Sequence, residues 1–359
     1  MNETFFKELG LDSSTKEIAA ENNDFFLGRV SEQHQSIYKV LTDAGEVLAK
    51  VSGKYSYLAS TKSEYPVVGD WVLLDSNQAE KGDIIIHYLL PRRTLLQRKE
   101  PGTKEQAQVL VANIDYVFIC MSLNNDFNLR RLERYLTIAW DSGAIPVVVL
   151  TKKDLCKNVE EKILETKNIS ADIEVVATSS IESETVEILK KYLTVGKTAV
   201  FVGSSGVGKS TLINLITGED LIKTSGLRND DKGRHTTTHR ELIMLPEGGI
   251  VIDTPGLREI QIETGDINRS FEDIENLALN CKFNNCKHKS EPGCAIKKAI
   301  KAGEIDASRF ENYLKLAKEI NYDSMKAKEI ENEKIKNMFG SKSNYKNMMK
   351  EFKKKNKRY

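Results

Sequence analysis

Short apolar runs separated by turn residues dominate the first third of the chain. Phe25–Val30, Ile37–Val40, Glu46–Val51, Trp71–Leu74 and Asp83–Tyr88 are such runs, and Asp43-Ala44-Gly45 and Gly69-Asp70 punctuate them. This is the pattern of strands joined by tight turns. Five of them predict a small closed β-barrel over residues 25–98; an OB-fold fits best, although an SH3-like barrel has similar spacing. From about Gln106 the rhythm changes to alternating strand and helix. Ile114–Met121, Ile145–Leu150, Ile173–Ala177, Thr198–Val202 and Gly249–Ile252 are short apolar runs, while Leu129–Ser142 sets Leu132, Leu136 and Ala139 on one helical face. A multidomain α/β chain with a parallel sheet over residues 99–265 follows. After about Glu263 the apolar spacing is helical over Ser270–Leu279, Ala295–Ala302 and Ser308–Ile320, predicting a helical domain over residues 266–322. Residues 1–24 are polar and expected to be loosely ordered, and residues 323–359 form a basic tail.

Composition narrows the partners. The 359 residues carry 53 Lys and Arg against 52 Asp and Glu, a net charge of +1, so affinity for nucleic acid must come from local patches. One such patch is the last nineteen residues, Ser341 to Tyr359, where seven lysines and one arginine face one glutamate for a net +7. No apolar run reaches the roughly 18 residues of a membrane span, and Met1–Ala20 lacks the apolar core of a signal peptide. A cytoplasmic protein that does not engage membranes is expected, and a monomer.

The sharpest chemical signal is Gly203-Ser204-Ser205-Gly206-Val207-Gly208-Lys209-Ser210-Thr211, a complete GxxxxGK[ST] phosphate loop. Its glycines let backbone N–H groups turn inward onto phosphate oxygens at a helix start. Lys209 is placed to bridge the β- and γ-phosphates and Ser210 to ligate Mg²⁺. Asp253-Thr254-Pro255-Gly256 is a DxxG element, with Asp253 holding Mg²⁺ through its water shell and the Gly256 N–H facing the γ-phosphate. Thr151-Lys152-Lys153-Asp154 fits the guanine-reading [NT]KxD element. Asp154 can accept from both guanine N1–H and the 2-amino group, Lys152 can lie along the base, and Thr151 keeps a hydroxyl to tie this loop to the phosphate loop. Thr178-Ser179-Ser180 occupies the place whose backbone N–H meets guanine O6. These pieces imply GTP and GDP as ligands.

Between phosphate loop and DxxG lies Gly233-Arg234-His235-Thr236-Thr237-Thr238-His239-Arg240. One threonine here is expected to close onto Mg²⁺ and the γ-phosphate, Thr237 first, with Thr236 and Thr238 as alternatives. Many small GTPases orient water with a glutamine just after DxxG. That position is Leu257, which cannot, so His235 is the candidate catalytic residue and His239 the second. Three of the five cysteines fall into Cys281-x₄-Cys286-x-His288-x₅-Cys294, a full tetrahedral set for one structural Zn²⁺ with no position left for water. Lys282, Lys287, Lys289, Lys297 and Lys298 surround it, suited to phosphate backbones or simply to solvent.

The motifs run base, phosphate, switch, the order of a circularly permuted GTPase. Together with the barrel and the C-x₄-C-x-H-x₅-C cluster, the ordered set TKKD, GSSGVGKST, RHTTT and DTPGL resembles the circularly permuted small-ribosomal-subunit biogenesis GTPases of the RsgA/YjeQ type. The resemblance spans roughly Phe25 to Ile320. It implies an OB-fold, a permuted GTPase domain and a zinc domain. It also implies GTP hydrolysis stimulated by the small (30S) ribosomal subunit, binding near the decoding region with contacts to its rRNA, and a role in late maturation. The family histidine in the HTTT context falls on His235. Two other readings stay open: a GTP-gated switch acting on another RNA, and an RNA-binding module with an idle nucleotide site.

Overall fold

The computed structural model describes residues 2–59, 61–76, 84–99, 107–124, 126–170, 172–218, 240–254, 267–289 and 291–320. The chain begins with two short helices, α1 (Glu3–Glu8) and α2 (Ser13–Glu21), capped by Asn2 and Asp12 side chains that accept from Phe5 N and Thr15 N. The loose order expected for residues 1–24 is corrected here: Phe6 and Leu9 are fully buried in a cluster with Leu27, Trp71, Leu73 and Leu90. Two apolar residues separated by polar ones are too few to register as a periodic pattern, yet they close one side of the barrel.

Strands β1 (Phe26–His34), β2 (Ile37–Thr42), β3 (Gly45–Val51), β4 (Trp71–Leu74) and β5 (Ile84–Leu89) make that barrel. The order runs β1-β2-β3-β5-β4, β4 returns to pair with β1, and β3 lies parallel to β5. A five-stranded closed sheet of this kind is the OB-fold expected from the spacing of the runs. Its interior holds Val30, Tyr38, Val40, Val47, Val72, Leu74, Ile84 and Ile86, the inward half of each alternation. A six-residue helix, α3 (Gly53–Leu58), connects β3 towards β4. β6 (Leu95–Lys99) and β7 (Ala107–Ala112) then form a separate two-stranded sheet, so the boundary expected between residues 98 and 99 falls inside β6.

The second sheet runs β10-β9-β8-β11-β13-β12, with β8 (Tyr116–Ser122), β9 (Ile145–Thr151), β10 (Glu174–Ala177), β11 (Thr198–Val202) and β13 (Ile250–Asp253) parallel and β12 (Glu241–Met244) antiparallel to β13. Helices α4 (Leu129–Asp141), α5 (Val159–Lys167), α6 (Glu184–Lys190) and α7 (Lys209–Thr217) lie between these strands in sequence. Burial of both sheet faces explains why β8, β9 and β11 read as continuous apolar runs rather than alternating ones. The two sheets are joined edge to edge, because β1 of the barrel pairs with β12 at Glu32 and Glu241.

A buried arginine reinforces that junction. Arg29, 1% exposed, donates to Gly69 O at 3.2 Å, Asn113 O at 2.9 Å, Thr198 Oγ1 at 3.1 Å and Leu9 O, and lies over the Trp71 ring. One guanidinium thus holds α1, the barrel and the first residue of β11, with burial pushing its pKa down to about 10.

The C-terminal helices are α8 (Ile267–Ser270), α9 (Glu272–Ala278), α10 (Ala295–Ala302) and α11 (residues 307–320). The helix expected over Ser270–Leu279 is α9, and the short α8 precedes it across a break at Phe271, whose fully buried ring plugs the shared core. Arg309 bolts this module to the parallel-sheet domain. Its guanidinium donates to Glu133 Oε1 at 2.6 Å, to both Asp273 oxygens at 2.8 and 3.0 Å, and to Ile169 O and Ser270 O. Glu133, on α4 and fully buried, also accepts from Asn312 and Arg130.

Candidate nucleotide site and metal cluster

The site forms where several parallel strands end. β9 ends in Thr151, β10 leads into Thr178, β11 into Gly203, and β13 ends in Asp253. In a doubly wound sheet the carboxyl ends of strands are where ligands sit. The Thr151–Asp154 loop and the Gly203–Thr211 loop therefore meet in space, although they stand in permuted order along the chain.

Backbone conformation explains the glycines of the phosphate loop. Gly203, at φ 140°, sits so close to β8 that a Cβ would fall 2.3 Å from Cys120 O, whereas at Gly206 and Gly208, at φ 75° and 102°, a Cβ would meet nothing within 4 Å. The first glycine allows strand packing, and the other two hold the turn while leaving its concave side open. α7 starts directly at Lys209 with no side-chain cap, so its first N–H groups face the loop. These are the orphan donors of a helix start, and they favour an anion. Lys209 Nζ donates to Gly203 O at 2.8 Å and Ser204 O at 2.7 Å, curling over the loop. Ser205 and Gly206 are exposed, Ser204, Ser210 and Thr211 partly so, while Val207 is buried and anchors the turn.

The Thr151–Asp154 loop is tied to this one by two bonds. Thr151 Oγ1 donates to Val207 O at 2.6 Å, and Lys152 Nζ to Gly206 O at 2.7 Å, with Lys152 in the left-handed region at φ 59°. Asp154 is exposed, and Ser179 Oγ donates to its Oδ1, fixing the carboxylate. Lys153 N donates to Thr178 O at 3.1 Å, and its ammonium pairs with Glu182. Of the three N–H groups in Thr178-Ser179-Ser180, the first donates to Leu150 O and the second to Thr185 Oγ1. Ser180 is exposed. Read from sequence, Ser179 has only a backbone role, within Thr178-Ser179-Ser180; its hydroxyl bond to Asp154 and the pairing of Lys153 with Glu182 were missed, the one trace of the latter being an acid two residues beyond the hydroxyl run.

Asp253 stands in register with Glu241 at the end of β13, half-buried. Burial pushes its carboxyl up to about 6, Glu241 adds to this, and the Thr254 N–H and Lys209 oppose it. A carboxylate that loses hydration on folding is one a divalent cation would favour. Thr254 is buried, with its hydroxyl 3.5 Å from Phe201 O. Gly256, Leu257, His235, Thr236, Thr237, Thr238 and His239 lie outside the described residues.

The cysteine–histidine set is gathered as its spacing required. The ligand atoms of Cys281, Cys286, His288 and Cys294 all lie within 4.8 Å of one another. Cys281 Sγ is 4.0 Å from Cys294 Sγ, and His288 Nδ1 lies 3.6 and 3.5 Å from those two sulfurs. The turn places His288 at φ 57°, and Ala295 N donates to Cys281 Sγ. Four soft or borderline donors at the vertices of a small tetrahedron can hold one metal ion. Among the described residues this is the only such grouping.

Comparison with known proteins agrees with this geometry. Residues 89–263 match the RsgA GTPase family. The chain is 47% identical over 337 residues to small ribosomal subunit biogenesis GTPase RsgA 2 of Lactiplantibacillus plantarum, covering 93% of this chain and 94% of that protein. It is 41% identical over 323 residues to the RsgA of Methanosarcina acetivorans, covering 88% and 86%. The crystal structure of YjeQ from Thermotoga maritima superposes with a TM-score of 0.61 at 30% identity, covering 82% of this chain and 98% of that one. YloQ, described as a circularly permuted GTPase, shares the fold with a TM-score of 0.58 at 23% identity. Sharing nearly its whole length with these relatives, along with the five-stranded barrel and the permuted order of its loops, this chain belongs to the RsgA family of GTPases.

Proposed function

We propose that this protein binds the small ribosomal subunit through its rRNA, assists the subunit's late maturation, and hydrolyses GTP to GDP and phosphate at a rate the subunit raises, as a cytoplasmic monomer. The observation that carries the reading is the pair of bonds from Thr151 and Lys152 to Val207 and Gly206, which holds the Thr151–Asp154 loop against the phosphate loop. Relatives that share nearly the whole chain are named for small-subunit biogenesis.

In this reading Asp154, held by Ser179, accepts from guanine N1–H and the 2-amino group. Lys152 lies along the base, and the N–H of Ser180, in the run Thr178-Ser179-Ser180, meets O6. Backbone N–H groups of the Gly203–Thr211 loop would cradle the phosphates, and Lys209 would meet the β- and γ-oxygens. The donor chemistry of Ser210 and Asp253 is oxygen, which suits Mg²⁺, and Thr237 would complete the set. The ion would neutralise charge developing on the phosphates. Gly256 would offer its N–H to the γ-phosphate and His235 would position the attacking water. Cys281, Cys286, His288 and Cys294 would hold one structural Zn²⁺, which would cross-link the loop that precedes α10.

The nucleotide state reaches the rest of the molecule by short routes. Residue 240 lies beside Glu241 of β12, which pairs with the barrel, and residue 267 opens the C-terminal helices. Equilibrium binding of the purified protein to isolated small subunits tests the partner. Binding with a non-hydrolysable GTP analogue that is several-fold tighter than with GDP supports the reading. Equal, weak binding in both states would transfer it to a switch on another RNA or to an idle nucleotide site.

A further inference from the structure

Three carboxylates stand in one row across three neighbouring strands. Asp253 of β13 lies opposite Glu241 of β12, and Glu241 lies opposite Glu32 of β1. Residues directly opposite on antiparallel strands carry their side chains on the same face, with Cβ atoms about 4.5–5.5 Å apart. Like charges so placed destabilise a sheet. Both unfavourable contacts of the row involve Glu241.

The barrel end of the row is compensated. Glu32, 9% exposed, accepts from Lys39 Nζ at 2.6 Å and pairs with His34 Nε2 at 2.6 Å. Lys39 also lies 3.9 Å from Glu46. Burial pushes the Glu241 carboxyl above its ordinary value, Glu32 and Glu46 add to this, and Lys39 opposes it. The ammonium that could neutralise Glu241 is thus held by Glu32. At the other end, the charge of Glu241 reaches Asp253, whose raised carboxyl owes its shift first to burial and then to Glu241.

A divalent cation changes the sign of this arrangement. With such an ion at Asp253, repulsion between two acids gives way to attraction of both to the ion. Mg²⁺ dehydrates reluctantly and usually keeps several waters, whose protons need acceptors. A carboxylate one strand away, on the same face, offers such an acceptor together with a full negative charge.

We propose that Glu241 is a positioning residue for Mg²⁺, a second carboxylate that accepts from the ion's water shell beside Asp253 and raises the ion's affinity for the nucleotide-bound protein. This rests on the reading that Asp253 holds Mg²⁺ and adds a residue outside the phosphate loop, the switch threonines and the DxxG element. The like-charged pair costs stability in the empty site and repays it when the ion arrives.

The test is a Mg²⁺ titration of the full-length protein, reading the affinity of a fluorescent, non-hydrolysable GTP analogue at each Mg²⁺ concentration. Glu241→Gln should raise the Mg²⁺ concentration that gives half the full affinity about fivefold. Without Mg²⁺ the same variant should bind the analogue as well as wild type or better, because a negative charge near the phosphates has gone. Glu241→Asp keeps the charge and should stay close to wild type. The difference between Glu241→Gln and wild type should shrink at about 1 M salt, where the Debye length falls to about 3 Å. Unchanged Mg²⁺ dependence in Glu241→Gln overturns the proposal. So does an equal loss of affinity with and without Mg²⁺, which is what a merely structural role would produce. Asp253→Asn is measured alongside: if it too leaves the Mg²⁺ dependence unchanged, the reading of Asp253 fails, whereas an effect there with none in Glu241→Gln sinks the proposal alone.

Discussion

Replacing Arg309 by methionine keeps much of the side chain's apolar length and removes the guanidinium that joins the C-terminal helices to α4. Five hydrogen bonds disappear, two of them to Asp273 and one to Glu133, whose carboxylate is fully buried. Removing one partner of a buried pair typically costs about 3–5 kcal/mol, because the other charge stays desolvated. Glu133 keeps Arg130 and Asn312, so the lower end applies, about 3 kcal/mol. Trp140 lies on α4 under Arg269, whose guanidinium is 3.6 Å from the ring centroid, and so reports on this interface. The other tryptophan, Trp71, is in the barrel, so a Trp71→Phe background isolates the signal. Urea unfolding followed by Trp140 fluorescence should show the transition weakened by about 3 kcal/mol in Arg309→Met. Adding Glu133→Gln should recover part of the loss, since a neutral amide is cheaper to bury. A change below about 1 kcal/mol, the worth of a solvated ion pair, would refute the reasoning.

Other consequences are equally direct. Asp154→Asn should lower affinity for GTP and favour xanthosine triphosphate, because an amide donor then faces the 2-position; fluorescent-nucleotide competition measures it, and unchanged GTP preference counts against the base assignment. His235→Ala should lower stimulated kcat roughly a hundredfold with nucleotide affinity unchanged, the mark of an interaction made in the transition state; an intact rate would move the role to His239 or to the ribosome. Cys286→Ser should release about one equivalent of zinc and loosen the C-terminal helices, read by metal analysis and proteolysis, while basal GTP hydrolysis survives. Zinc-free wild-type protein, purified without chelator, would defeat that assignment.

The strands of the barrel and of the parallel sheet were legible because burial imposes a period, or an unbroken apolar run, on consecutive residues. The nucleotide loops were legible for a different reason: backbone geometry demands glycine at particular spacings, and base recognition demands a carboxylate. What escaped depends on distant partners. Arg29, Glu133 and Arg309 look like surface charges in one dimension, and Glu133 meets Arg309 across 176 positions. Nothing local in either residue signals burial. The helix α1 was missed because Phe6 and Leu9 acquire meaning only against Trp71. The edge pairing of β1 with β12 rests on a single residue pair, so no pattern along the chain could announce it.

The central claim is that a preorganised guanine nucleotide site fires when the protein meets the small subunit. Single-turnover GTP hydrolysis, with and without purified small ribosomal subunits, addresses it directly, with Lys209→Ala as the control that lacks the phosphate-bridging ammonium. A slow basal rate that subunits raise at least tenfold in the wild type, with no such rise in the Lys209→Ala variant, is the predicted result. A wild-type rate indifferent to subunits, or a rate equally raised in the variant, would contradict it.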